Sequence, residues 1–71
     1  MRYAVVIEKA EDNYSAYVPD LPGCVATGPT PEEVRQIVRE AIALHIGGLR
    51  DDGVSIPPAV TDGDYVEVTL A

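Results

Sequence analysis

The chain has 71 residues, 46% of them hydrophobic, with one cysteine, one histidine and a net charge of −7 from twelve Asp/Glu against five Lys/Arg. That length holds a single domain, residues 1–71; the ordinary apolar fraction does not favour disorder, and one cysteine with one histidine excludes a disulfide within the chain and a Cys/His zinc site built from one copy. The charge repels phosphate backbones, so direct nucleic-acid binding is not expected; it suits either general solubility or a basic protein partner.

A chain this short buries only about 60% of the surface its unfolded form exposes, which makes the core marginal and oligomerisation a common remedy. No basic segment followed by an apolar run opens the sequence, and no apolar run is long enough to span a membrane. The expected location is therefore cytoplasmic, without membrane attachment.

In chain order, RYAVVIEK (2–9) is rich in β-branched residues. Tyr3, Val5 and Ile7 fall on one face, Ala4 and Val6 on the other, as in a central strand apolar on both sides. AEDN (10–13) predicts a hairpin turn in which Asn13 can take a left-handed conformation. YSAYV (14–18) predicts a second strand stopped by Pro19, and CVATG (24–28) a third, giving an antiparallel meander. Between them, PDLPGC (19–24) has the chemistry of a rigid turn: two prolines fix backbone angles, Asp20 can bond the amides that follow, and Gly23 supplies permissive dihedrals.

Thr30 then predicts a helix N-cap, with Pro31 at the first helical position and Glu33 three residues on, a capping-box pattern. The apolar stripe runs through Val34, Ile37, Val38, Ala41, Ile42, His45 and Leu49, and Gly53 ends the helix near residue 52. SIPPAVTDGD (55–64) is a connector. YVEVTL (65–70) alternates cleanly, which predicts a fourth strand with Val66, Val68 and Leu70 inward.

The order is βββαβ, an α+β fold. A right-handed crossover would set the fourth strand parallel to the first, in sheet order 3-2-1-4, with one helix on one face. The other face would carry apolar residues with no cover, which predicts a homodimer or larger even oligomer.

No catalytic, cofactor or metal site is expected, and no enzymatic activity. Cys24 lies in an acidic, apolar setting unsuited to a thiolate and reads as a small buried residue. His45 has no Ser, Cys or carboxylate placed to form a dyad with it and reads as a packed core histidine. The acidic loops are the more informative feature. The predicted topology gathers Asp20, Asp51, Asp52, Asp62 and Asp64 at one end, a candidate partner-binding surface. Asp51 and Asp52 even oppose the helix dipole, which prefers cations at that terminus.

The run YSAYVPDLPGCVATGPTPEEV, followed by EAIALHI and DGVSIPP, resembles the HicB-like antitoxin family through residues 3–58. The resemblance implies a partial ribonuclease-H-like fold and a role in neutralising a small, basic toxin that cleaves mRNA. Many members of that family carry a C-terminal DNA-binding domain; none is expected within these 71 residues. The alternative is an orphan ribonuclease-H-like scaffold with a regulatory or ligand-binding role. The ribonuclease-H likeness would also place Glu8, Glu40 and Glu67 on the elements that hold two metals in such nucleases. Their strand and helix faces are not expected to converge, which disfavours a metal-dependent nuclease.

Overall fold

A computed structural model describes residues 1–70. Three strands, β1 (Val6–Lys9), β2 (Tyr14–Tyr17) and β3 (Val25–Gly28), form an antiparallel sheet in chain order, and one helix, α1 (Pro31–Asp51), packs across it. Val6 pairs with Tyr17 and Tyr17 with Val25; Ile7 pairs with Ala16 and Ala16 with Ala26. Side chains alternate between sheet faces. Ile7, Ala16 and Ala26 therefore form the row under the helix. Val6, Tyr17 and Val25 form an apolar row on the open face.

The core is small: Ala16, Val18, Leu21, Cys24, Ala26, Val34, Val38 and Ile46 are buried, with Tyr3, Val5, Ile7, Tyr14, Ala41, Ile42 and Ile56 packed around them. The helical stripe is narrower than its sequence period suggests. Ile46 is buried, whereas Ile37 is exposed and His45 is half-buried at the margin. A sheet of three short strands covers only a thin band of helix surface.

Each end of α1 is closed by local chemistry. Thr30 is extended, at φ −135° and ψ 159°, and its Oγ1 accepts from the Glu33 amide at 3.1 Å. At the other end Gly53, at φ 69°, donates its N–H to the Arg50 carbonyl, and Val54 donates to that of Leu49. Those two bonds are a Schellman closure, which requires the left-handed residue that glycine supplies.

One expectation is corrected, and the sheet is smaller than expected. Asn13 is not left-handed, for no non-glycine residue described has positive φ; the hairpin closes instead through the Ala10 amide on the Asn13 carbonyl at 2.8 Å. β1 pairs only with β2 and so stands at an edge of this three-stranded sheet. Residues 65–70, expected as a fourth strand, are exposed here and pair with none of the three strands.

Candidate interaction surface

The turn between β2 and β3 is built from two consecutive bends. Leu21 donates its amide to the Val18 carbonyl at 3.0 Å, and Cys24 donates to that of Leu21 at 3.0 Å. Gly23 takes φ 85°, where a side chain would be strained. Leu21 is fully buried and pins the loop to the core. Burial also pushes the Cys24 thiol up, away from the thiolate form, in keeping with a packed apolar role.

Asp20 does not bond the amides that follow it. Its carboxylate turns outward and accepts from three donors on the far side of the sequence: the Val60 amide at 2.9 Å, the Thr61 amide at 2.8 Å and the Thr61 hydroxyl at 2.7 Å. The Thr61 hydroxyl and amide chiefly hold its carboxyl below the ordinary aspartate range. This clamp fixes the segment after α1 against the β2–β3 turn. Tyr3 adds a second tether, donating from its hydroxyl to the Pro57 carbonyl at 2.6 Å. The sequence offered no sign of the clamp, because its two sides are forty residues apart.

The five predicted aspartates therefore separate into two groups. Asp20 stands beside Thr61 and is committed to the clamp, with Asp62 and Asp64 exposed just beyond. Asp51 and Asp52 are exposed at the C-terminal end of α1, and Asp52 donates its amide to the Gly48 carbonyl at 3.0 Å. No hydrogen bond joins the two groups among the described residues.

The cations take a different place. Arg2, Arg35 and Arg39, three of the five Lys/Arg, rim a groove of about 600 Å³ between β1 and α1. Val5, Ile7, Val38 and Ile42 line it, and Tyr65 stands at its mouth. The carboxylates Glu8, Glu40 and Glu67 are all exposed. Glu8 lies on the open face, one residue from Ile7 in the helix-side row, while Glu40 belongs to the helix on the opposite side of the sheet.

The sequence matches the family described as HicB-like antitoxin of bacterial toxin-antitoxin systems over residues 3–68. The chain belongs to the HicB-like antitoxin family. It is 38% identical to an uncharacterised 14.9 kDa protein of Haemophilus phage HP1 over 93% of its own length and 50% of the relative. A UPF0150 protein of Archaeoglobus fulgidus is 36% identical over 99% of this chain and 91% of that protein. Antitoxin HicB 1 of Photorhabdus laumondii is 33% identical over the whole chain and 47% of the antitoxin. The chain thus spans about half the length of the phage and Photorhabdus relatives, and nearly all of the archaeal one. Among solved structures, a chain of the HicA3 and HicB3 toxin-antitoxin complex matches with a TM-score of 0.73 and 32% identity, over 84% of this chain and 70% of the other. This member's α+β core of three antiparallel strands and one helix is the fold shared in that comparison. No helix among the described residues is long and apolar enough to cross a membrane.

Proposed function

We propose that this HicB-like domain is a toxin-binding module that masks a small, basic, mRNA-cleaving toxin in the cytoplasm and performs no chemistry itself. The likeness to a chain of the HicA3 and HicB3 complex carries this reading. The net charge of −7 supports a basic partner, and Asp51, Asp52, Asp62 and Asp64 are exposed, with the Asp64 carboxylate also accepting from the Tyr65 amide at 2.8 Å. Asp20 serves the same surface indirectly, by holding the segment that bears Asp62. A nuclease role is not assigned, because Glu8 and Glu40 lie on opposite sides of the sheet and give no convergent pair for metal ions. In the working assembly residues 65–70 supply the fourth strand on the free edge of β1, completing the order 3-2-1-4 and the partial ribonuclease-H-like sheet.

Opposite charges chiefly speed association and select partners. Exposed charges are screened over about 8–10 Å at ordinary ionic strength, so added salt should slow association. The test is to measure association with a small basic HicA toxin at two salt concentrations. It is repeated with Asp51→Asn/Asp52→Asn and, separately, Asp62→Asn/Asp64→Asn. Both variants should bind more slowly, with a weaker salt dependence and an unchanged fold. A salt-insensitive on-rate, equal in all three proteins, would remove the acidic surface from the interface.

A further inference from the structure

The segment after the Asp20 clamp carries a run of exposed apolar residues. Tyr65 reaches the mouth of the groove beside β1 and is fully exposed, and beyond it Val66, Val68 and Leu70 are 80%, 75% and 87% exposed. Solvent does not retain such a run on a stable monomer without cause. Residues 61–63 and Tyr65 still flank Arg2 and Tyr3, but beyond Tyr65 the segment projects from its own molecule. The radius of gyration is 14.2 Å, where a compact domain of this length would have about 11 Å. The longest dimension is 52 Å, well beyond the roughly 31 Å that a helix of 21 residues spans.

What the segment lacks, the other side of the molecule offers. β1 pairs only with β2, so its outer edge presents unpaired N–H and C=O groups. The groove beside that edge is apolar at its base and rimmed by Arg2, Arg35 and Arg39. Strand alternation places Asp62 and Asp64 on the same face as Val66, Val68 and Leu70. The segment therefore carries acids first and apolar groups next on one face, complementary to a basic rim over an apolar floor. We propose that residues 64–70 of one copy add as an edge strand to β1 of a second copy, laying Val66, Val68 and Leu70 into the groove in a reciprocal two-fold exchange. The exchange satisfies both free edges and both exposed segments at once, as a closed two-fold interface requires. Asp62 and Asp64 serve either the arginine rim or a toxin, so a toxin that engages them competes with the exchange.

The test uses the full chain without a toxin. Sedimentation equilibrium at micromolar concentration should show a dimer. Val66→Asp/Val68→Asp should weaken it by about 100-fold or more, because charges would be carried into an apolar groove. The helical circular dichroism should not change, since neither residue touches the core. Mixing isotope-labelled and unlabelled copies should give contacts between methyl groups of Val66, Val68 and Leu70 on one copy and of Val5, Ile7 and Ile42 on the other. A monomer, with the segment either docked on its own β1 or left free, would overturn the proposal. So would a dimer that survives both substitutions and shows no such contacts, for its interface would then lie on the open sheet face.

Discussion

Asp20 joins two parts of the chain that share no other polar contact of comparable strength. Its three acceptor bonds tie the β2–β3 turn to residues 60 and 61. Asp20→Ala should free that segment: amide exchange at Val60 and Thr61 should rise to the rate of an unstructured chain, while exchange within α1 stays as it was. Unchanged protection at those two amides would show that the connector is held by something else. The carboxyl titrates lower when folded than when unfolded. The clamp's contribution is therefore complete above the ordinary aspartate value, about pH 3.9, and is lost as the pH falls through the lower folded value. The Thr61 amide resonance, followed by NMR during acid titration, should move with a midpoint below that ordinary value.

Between elements, α1 approaches the end of β3 closely at Gly28. A Cβ at Gly28 would stand 3.0 Å from the Val34 amide nitrogen and 3.2 Å from its Cα. Both are backbone atoms at the first turn of the helix, so neither can swing aside. Gly28→Ala should push the helix start off the sheet and cost about 1–3 kcal/mol, as overpacking generally does. In a domain of this size each kcal/mol lowers the melting temperature by about 4–8 °C. Calorimetry showing an unaltered melting temperature would mean that the helix can shift without loss. The glycine is thus required by space and not by its backbone angles.

For the molecule as a whole, folding and assembly draw on different residues. Among the described residues every buried side chain lies between Ala16 and Ile46, and residues 62–70 add none. A chain ending at Gly63 keeps the Asp20 clamp and should retain the circular dichroism and amide dispersion of the folded domain. Its radius of gyration in solution should fall towards the value of about 11 Å expected for a compact chain near this length. Loss of the folded signals would show that the last residues contribute to the core after all.

Local chemistry made much of this legible before any tertiary contact was known. Pro19 set the end of β2. Thr30, Pro31 and Gly53 set both ends of α1, because caps depend on near neighbours in sequence. The motif run from Tyr14 to Val34 pointed to the family. The fate of YVEVTL was different: its alternation specifies a strand face but not the edge that receives it, and pairing needs a partner the sequence cannot place. The burial of Ile46 in place of Ile37 depended on how narrow the sheet is, and the role of Asp20 on donors forty residues away. The sequence by itself determined three strands, the helix, its caps and the sign of the charge, all consequences of short-range geometry and composition. Only the tertiary structure decided that Asp20 is a clamp, that the cations line the groove beside β1, and that this strand's outer edge is free, because each of these is a relation between segments that chain order leaves open.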